Sequence, residues 1–458
     1  MRWIARIFTR VAERYLPDAF IFLFFLTLLV FVLGMAAGST PREVVDFWGE
    51  GFFSILEFTM QSTLMLVLGF ALANTPPVHK GLRWFAKLPK NEAQVIVVTV
   101  LVMMICSWIS WGFGLIAGGI VAREMGIVHR GKVHYPLVVA AAYAGFLVWH
   151  AGYGGAIPQL IATPGHFLED QMGVIPVSET IFAPATLIIV AGLVITVPIT
   201  MVLMRPTHSE RIDLPESVVA EEQSLLRSDT GTVSSGSAGP GAAHADDIKT
   251  QKPVVAVRLE RTRIITLVLG ILGLLYLVSY YAAGGILNIN LVIYSFLVAG
   301  LLLVPNVREY ITQLTGGAKA AAGIVVQFPF YGALMGIMVG TGLVTTMANW
   351  FVEISSAETL PFWAFISGGI INMFVPSGGG QWAVQGPIMM EAAQQLGADP
   401  GSTAMGVAWG DAWTNMIQPF WALPLLAIAG LGIREIMGYT AVVMFIAGAV
   451  IGGGLLIF

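Results

Sequence analysis

Long apolar runs constrain this chain more than any other feature of its sequence. A membrane-spanning α-helix needs roughly 20 apolar residues. The chain is 56% hydrophobic and 11% charged, whereas soluble domains average about 25% charged residues. We therefore predict an all-α polytopic membrane protein, with the lipid bilayer as a partner. About nine transmembrane helices are expected, at 18–38, 52–75, 134–162, 180–204, 263–283, 287–305, 322–349, 402–430 and 436–457.

Two further apolar segments, 93–125 and 360–396, are too long for single helices and are interrupted near their centres. Three consecutive glycines in the second interruption are poor helix formers. Non-helical backbone survives at membrane depth only inside protein or beside a watery cavity. We therefore predict two re-entrant hairpins, each with two half-helices and a non-helical tip. The tips are Ser110-Trp111-Gly112-Phe113-Gly114 and Ser377-Gly378-Gly379-Gly380-Gln381.

The second arm of the second hairpin, Trp382–Leu396, would begin directly after the glycine-rich tip. The first N–H groups of a helix lack intrahelical partners and lie at the positive end of the helix dipole, so they can bind an anion. Glycines that only permit close helix packing are the alternative explanation. The polar Ser377 and Gln381 at the same tip favour a binding site.

The distribution of basic residues predicts the orientation in the membrane, because cytoplasmic loops are rich in Lys and Arg. With the N-terminus in the cytoplasm and the C-terminus outside, Arg42 is the one basic residue of 23 that falls outside. Basic residues flank both ends of the segment 93–125, at Lys80–Lys90 and Arg123–Lys132. Both flanks can lie on one side only if that segment turns back. We expect a multi-pass protein of the cell (inner) membrane.

Residues 206–260 interrupt the apolar pattern and are rich in Ser, Gly, Ala, Asp and Glu. Such a segment cannot bury enough apolar surface to become ordered. We predict a disordered cytoplasmic linker between a first membrane repeat, 1–205, and a second, 261–458. Equivalent residues of the two repeats lie 266 positions apart: Gln61 and Gln327, Gly112 and Gly378, Pro158 and Pro424.

An extra crossing at 263–283 makes the second repeat start from the opposite side of the membrane. The two repeats are therefore predicted to be inverted, with their hairpins entering from opposite faces. Each repeat also has a second break after its hairpin, at Trp149–Gly155 and at Thr414–Pro419. Inverted repeats with broken helices that meet near the midplane are typical of secondary transporters.

Asp411 is the acidic residue that lies deepest inside a predicted span. Asp411, Asn415 and Gln418 have the spacing i, i+4 and i+7, which places them on one helix face. An ionisable residue inside the membrane indicates a functional site by default, although a structural hydrogen bond is the alternative. His150 is the histidine well inside the membrane segments. It could hold a carboxylate or relay a proton, or it could be an ordinary buried side chain.

We predict that the tips and breaks meet, with substrate and coupling cation bound between them. Trp111 and Trp382 at the tips could line an apolar pocket for a short acyl chain. No zinc-ligand spacing, phosphate loop or nucleic-acid patch is present, so we expect no cofactor beyond Na⁺ or H⁺ as the coupling ion. Substrate contacts are predicted at Ser377, Gly378, Gly379, Gly380, Gln381, Trp382, Ser110, Trp111, Gly112, His150 and Asn415, and cation contacts at Asp411, Thr414, Gln418 and Gly114.

The segment Val375-Pro376-Ser377-Gly378-Gly379-Gly380-Gln381-Trp382-Ala383-Val384-Gln385-Gly386-Pro387 resembles the short-chain fatty acid transporter family, which includes acetoacetate and butyrate uptake permeases. More distantly, the chain is similar to the ion-transporter superfamily. That resemblance implies a homodimer with paired hairpins in a mobile transport domain. Those carriers commonly have Ser-Asn-Thr at both tips. Here Gly378 and Gly379 follow Ser377, so a smaller monocarboxylate held largely by backbone N–H groups fits better.

The sequence thus favours a transporter that imports short-chain monocarboxylates with Na⁺ or H⁺, and no enzymatic activity. One alternative is an intramembrane serine hydrolase that uses His150 with Ser107 or Ser110. No Gly-x-Ser-x-Gly elbow supports it, and an inverted repeat offers an enzyme no obvious advantage. A passive carboxylate channel is the other alternative.

Overall fold

The computed structural model describes residues 19–206, 211–216, 218, 255–418 and 420–457, and every regular element within these ranges is a helix. Eight of the described helices are long and apolar enough to cross a membrane, and three shorter apolar helices accompany them. The predicted all-α polytopic membrane fold is confirmed. The inverted relation between the two repeats stays a prediction.

The first half of the chain, up to residue 206, forms ten described α-helices and two 3₁₀ segments. They are α1 (Ala19–Ala36), α2 (Pro41–Gly51), α3 (Leu56–Ala73), α4 (Pro76–Ala86), α5 (Glu92–Ile109), α6 (Trp111–Val128), α7 (Tyr135–Ala144), the 3₁₀ segment Gly145–Ala151, α8 (Ala156–Ile161), α9 (Glu169–Met172), the 3₁₀ turn Val177–Glu179 and α10 (Pro184–Leu203).

The second half, from residue 255, forms ten more described helices. They are α11 (Val255–Glu260), α12 (Ile264–Ala282), α13 (Ile289–Leu303), α14 (Val307–Gly340), α15 (Leu343–Ile354), α16 (Leu360–Asn372), α17 (Gly378–Leu396), α18 (Pro400–Thr414), α19 (Ala422–Ala429) and α20 (Ile433–Ile457).

Short polar side chains mark where many of these helices begin. An N-cap oxygen accepts a hydrogen bond from a free N–H of the first turn, which offsets the missing intrahelical partner. Thr40 and Glu43 form a reciprocal capping box at the start of α2. Side-chain oxygens at further helix starts accept in the same way, at Asn91, Asn288, Asn306, Ser377 and Asp399.

Helices α5 and α6 form the first predicted hairpin. A side chain on Gly114 would meet the backbone of Ser107 at 2.7 Å, and one on Gly118 would meet Met103 at 2.5 Å. Since the later residue of one pair matches the earlier residue of the other, the two arms run antiparallel. The close approach of Gly114 to Ser107 shows that this glycine packs the arms of the hairpin together.

The turn of the first hairpin is shorter than the predicted tip Ser110–Gly114. Ser110 alone separates the arms, in an extended conformation with φ −166° and ψ 139°, and α6 begins at Trp111. Gly112 lies in the first turn of α6, where the N–H groups need no intrahelical acceptor. The helix therefore tolerates glycine at this point.

Helices α16 and α17 form the second hairpin. The Gln381 amide donates to the carbonyl oxygen of Gly368 over 2.9 Å, and the Gln385 amide donates to that of Ala364 over 3.5 Å. These two pairs again identify antiparallel arms. Helix α17 starts at Gly378, four residues earlier than the predicted start at Trp382.

The prediction of a non-helical glycine tip in the second hairpin is therefore wrong. Gly378, Gly379 and Gly380 form the first turn of α17, and the non-helical residues are those that precede them. A helix start is less costly for glycine than a helix interior, because Ser377 caps the turn by accepting the Gly380 N–H over 3.3 Å.

The centre of the molecule is formed by the two broken helices that follow the hairpins. In the first, α7 continues into the 3₁₀ segment and resumes as α8, and this whole stretch is almost completely buried. In the second, α18 ends at Thr414 and α19 begins at Ala422, so both predicted breaks are present. Pro419 lies outside the described residues. Trp149, Trp382 and Trp409 are among the largest fully buried side chains.

The described part of the linker packs onto the first half of the chain. The Arg211 guanidinium lies 2.6 Å from the Glu92 carboxylate, and the Ile212 N–H donates to His134 Nδ1 over 3.0 Å. Leu214 is buried, with 4% of its surface exposed. The start of the linker is therefore attached to α5 and α7. The rest of the predicted linker lies outside the described residues, at 207–210, 217 and 219–254.

We expect the two ends of the first hairpin to lie on the cytoplasmic side. Single cysteines at Lys90 and Arg130, in a Cys106→Ala background, should both react with a membrane-impermeant maleimide in inside-out vesicles. A cysteine at Arg42 is the control and should react in right-side-out cells instead. If the cysteines at Lys90 and Arg130 react from opposite faces, the segment crosses the membrane and the re-entrant hairpin is wrong.

Candidate functional site

The centre of the candidate site is a contact between His150 and Asp411. His150 lies in the 3₁₀ segment of the first half, and Asp411 lies in α18 of the second half. The His150 Nε2 atom is 3.5 Å from Asp411 Oδ1, and both side chains have 0% exposure. Among the described residues, neither ring nitrogen of His150 nor Asp411 Oδ2 has a hydrogen-bond partner. These atoms are therefore available to a ligand or a proton.

An amide network holds Asp411 in place. The Asn415 amide donates to Asp411 Oδ1 over 3.0 Å, and the Asn372 amide donates to Asn415 Oδ1 over 2.8 Å. Asn372 also donates to the backbone oxygen of Asp411 over 3.0 Å. The Tyr143 hydroxyl donates to the backbone oxygen of Asn415 over 2.8 Å. Side chains from α7 and α16 thus fix the C-terminal end of α18.

Asn372 and Tyr143 were not among the predicted site residues. Asn372 is completely buried at the end of α16, directly after the apolar pair Ile370 and Ile371. A single amide at the end of an apolar run is the sequence signal that could have identified it, because a buried amide needs hydrogen-bond partners. Tyr143 carries no comparable signal, since aromatic residues are common in such runs.

Two of the predicted cation contacts have local partners. The Thr414 hydroxyl donates to the backbone oxygen of Gly369 over 3.0 Å and accepts from Asn372 over 2.9 Å. The Gln418 side-chain oxygen accepts the N–H of Phe420 over 2.8 Å. Within the described ranges, no group of three or more His, Cys, Asp or Glu side chains could hold a metal ion. The oxygens of Asp411 and Asn372 that have no partner are the donors left for a cation.

The three glycines at the start of α17 make room for side chains from three other elements. A side chain on Gly378 would meet His150 Nε2 at 2.6 Å and Trp149 at 2.8 Å. One on Gly379 would overlap the ring of Phe58 from α3. One on Gly380 would overlap the ring of Tyr331 from α14. Close approach of these rings explains why three glycines are needed here.

The first turn of α17 presents free N–H groups beside His150. Ser377 accepts the Gly380 N–H. In the described part of the chain the N–H groups of Gly378 and Gly379 have no acceptor. These donors lie at the positive end of the dipole of a 19-residue helix. The completely buried His150 is a second, independent feature that points to an anion at this position.

The first tip reaches the same region through aromatic rings. The ring of Trp111 lies 6.4 Å from that of Trp149 and 5.2 Å from that of Trp421. The Trp149 ring lies 3.5 Å from the His150 ring. Ser110 is completely buried, and its hydroxyl has no partner among the residues that are described. The first tip therefore supports His150 from behind.

Four further predicted residues serve the hairpins rather than the contact with Asp411. A side chain on Gly112 would meet Leu66 of α3 at 3.1 Å, and Gly114 packs against the opposite arm of its own hairpin. Gln381 bonds within the second hairpin, to Gly368 and Gln385. The Trp382 ring lies over Gly386, one turn further along α17.

The geometry of a serine hydrolase is not present in the described residues. The Ser107 hydroxyl donates to the backbone oxygen of Met103 over 2.7 Å, within its own helix. No hydrogen bond joins His150 to Ser107 or Ser110 there. A nucleophile needs a base within about 2.6–3.2 Å, although apo structures can be looser.

Adding a methyl group at Gly379 should destabilise the protein. Gly379→Ala forces its Cβ into the Phe58 ring, and overpacking of this kind costs about 1–3 kcal/mol. The unfolding temperature in detergent should fall, and Phe58→Leu should partly restore it. Gly453→Ala in α20 is the matched control, because a Cβ at that position would meet nothing within 4 Å. Equal unfolding temperatures for Gly379→Ala and Gly453→Ala would contradict this contact.

Two solved transporter structures have a similar fold. The YdaH transporter of Alcanivorax borkumensis superposes with a TM-score of 0.58 and 14% identity, over 95% of this chain and 98% of that chain. MtrF of Neisseria gonorrhoeae, described as one of a class of antimetabolite efflux pumps, superposes with a TM-score of 0.56 and 16% identity, over 98% and 97% of the two chains. At these identities the likeness establishes the fold alone.

Sequence comparison identifies the family. The family model described as short chain fatty acid transporter matches residues 1–458. A relative from Escherichia coli K12 is 39% identical over 99% of both chains, and one from Haemophilus influenzae is 36% identical over 95% of both chains. Both relatives are provisionally named short-chain fatty acid transporters. This chain, too, belongs to the short-chain fatty acid transporter family.

Proposed function

We propose that this protein imports short-chain monocarboxylates together with protons, and that His150 and Asp411 form the coupling centre. The observation that carries the proposal is the completely buried His150–Asp411 contact beside the free N–H groups of Gly378 and Gly379. Membership of the family supports the substrate class. The proton as coupling ion and the inward direction are inferred from the chemistry of the site.

Charge neutrality explains why a proton must accompany the substrate. A charge is expensive in the low-dielectric interior of a membrane protein unless it is compensated. In the empty carrier, one proton shared by His150 and Asp411 leaves the pair with no net charge. Re-orientation of the empty site across the membrane then moves no net charge.

Binding of a carboxylate adds one negative charge to this neutral pair. A second proton restores neutrality if Asp411 is then protonated and the His150 imidazolium faces the carboxylate. The N–H groups of Gly378 and Gly379 would hold the carboxylate oxygens, since free N–H groups at a helix start favour an anion. The result is symport of one proton with one monocarboxylate.

A Na⁺ ion is the competing choice of coupling ion. It would need several oxygen ligands, and the site offers Asp411 Oδ2 and Asn372 Oδ1 as oxygens without hydrogen-bond partners in the described structure. His150 is a nitrogen donor and, when protonated, a cation, so its place beside Asp411 disfavours a hard cation. We therefore choose the proton.

We also propose the setting in which this transport occurs. The basic residues support an inner-membrane protein with a cytoplasmic N-terminus and an external C-terminus. The two hairpins and two broken helices, which recur in the same order in each half, support an inverted repeat with alternating access. A homodimer is inferred from the superfamily resemblance.

Asp411→Asn should uncouple the transporter. The substitution keeps the shape of the side chain and removes its ability to carry a proton. Accumulation of labelled butyrate driven by a pH gradient in proteoliposomes should fall about tenfold or more, as expected for loss of an essential proton carrier. Counterflow exchange should fall much less, because it requires no net proton movement.

The matched control for Asp411→Asn is Asp399→Asn at the other end of α18. Asp399 caps this helix by accepting the Ser402 N–H over 2.6 Å, and Asn is an equally good N-cap residue. Asp399→Asn should therefore accumulate butyrate like the wild type. If Asp411→Asn also does so, Asp411 is not the proton carrier. If wild-type accumulation requires Na⁺ and ignores the pH gradient, the coupling ion is Na⁺.

Symport of one proton with one monocarboxylate should be electroneutral. The initial rate of butyrate uptake should therefore stay constant when a potassium gradient with valinomycin sets an inside-negative potential. An acidic exterior should accelerate uptake. Protein-free liposomes provide the correction for passive entry of the undissociated acid. Strong stimulation by the potential would mean that additional positive charge enters with each substrate.

A further inference from the structure

A cavity of about 90 Å³ lies next to the glycines of α17, on the far side of Phe58. This volume is sufficient for several water molecules. The cavity is enclosed by the start of α3, the end of α8 and the loop that follows α8. Polar side chains dominate one part of its wall, at Ser54, Glu57, Gln61, Thr163 and His166.

The ring of Phe58 forms the boundary between this cavity and the glycine turn. Phe58 lines the cavity, and on its other face the ring edge touches the side-chain position of Gly379. It is 2% exposed. Phe328 stacks on it with a centroid distance of 5.9 Å and an interplanar angle of 29°, and Phe167 lies 6.2 Å away. Two neighbouring rings therefore hold this one in place.

The rings over the other two glycines are backed by more protein. Trp149, over Gly378, stacks on Phe146 at 5.5 Å and contacts Trp111 at 6.4 Å. Tyr331, over Gly380, is completely buried. A carboxylate bound to the N–H groups of the glycine turn must extend its acyl chain past one of these rings. Phe58 differs from Trp149 and Tyr331 in having a cavity described behind it.

We propose that Phe58 determines the length of acyl chain that the transporter accepts. This assignment rests on the proposed function, in which the substrate carboxylate lies at Gly378 and Gly379. The Phe58 ring is then the end wall of the acyl pocket. Removal of the ring joins that pocket to the cavity and adds length in the direction of the acyl chain.

The experiment measures competition by unlabelled straight-chain acids, from acetate to octanoate, against counterflow of labelled butyrate in proteoliposomes. Each methylene newly buried in an apolar site improves binding about fourfold. In Phe58→Ala, hexanoate carries two more methylenes than butyrate into the enlarged pocket. Its inhibition constant relative to that of butyrate should therefore fall about 15-fold compared with the wild type. Phe58→Leu should shift the ratio in the same direction by a smaller factor.

Phe167→Ala is the matched control, because it removes a ring of the same cluster that borders the cavity and has no described contact with Gly379. It enlarges the cavity and leaves the wall intact, so the hexanoate-to-butyrate ratio should stay at its wild-type value. A shift in Phe167→Ala equal to that in Phe58→Ala would overturn the assignment to Phe58.

The outcomes separate this assignment from the proposed function on which it rests. An unchanged ratio in Phe58→Leu or Phe58→Ala, with butyrate counterflow retained, sinks the assignment to Phe58 and leaves monocarboxylate transport in place. Wild-type protein that shows no counterflow with any acid of the series would instead overturn the proposed function. Phe58→Leu keeps an apolar side chain and supplies the result if Phe58→Ala does not fold.

Discussion

The contact between His150 and Asp411 is the interaction on which the rest of the site depends. It joins the first half of the chain to the second inside a region from which both side chains are completely excluded from solvent. A lone carboxylate would be very costly there, so its neutralisation by a histidine is a condition of stability as well as a means of coupling. Asn415, Asn372 and Tyr143 hold the carboxylate-bearing helix end in one orientation. Loss of any one of them would leave buried polar groups unpaired.

The glycine turn of α17 converts this charged pair into a binding site. Three residues without side chains let His150, Phe58 and Tyr331 approach the helix start from three different elements. The same absence of side chains leaves N–H groups accessible to an anion. Glycine lowers helix stability by roughly 0.5–1 kcal/mol per interior position, and the cap by Ser377 offsets part of that cost. A site of this kind recognises the carboxylate through the backbone and the acyl chain through the surrounding rings.

The fold and the site are constrained to different degrees. The overall arrangement of helices is shared with two transporters at only 14% and 16% identity, because helix length and burial depend on apolar character more than on residue identity. The site depends on individual residues. A shared proton on the His150–Asp411 pair, a free helix start and the Phe58 ring each require a particular side chain, or its absence, at one position.

The sequence by itself determined the fold class, both hairpins, both helix breaks and the importance of Asp411, His150 and the three glycines. Apolar length, helix propensity and the rarity of charges in membrane spans are local properties that can be read along the chain. Only the tertiary structure decided that His150 faces Asp411, that Asn372 and Tyr143 support it, and that Phe58 fills the space over Gly379. It also decided that the glycines begin a helix instead of forming a loop, since the tolerance of a capped first turn outweighs their low helix propensity. These outcomes depend on which side chains meet across distant segments, and local sequence patterns do not encode such meetings.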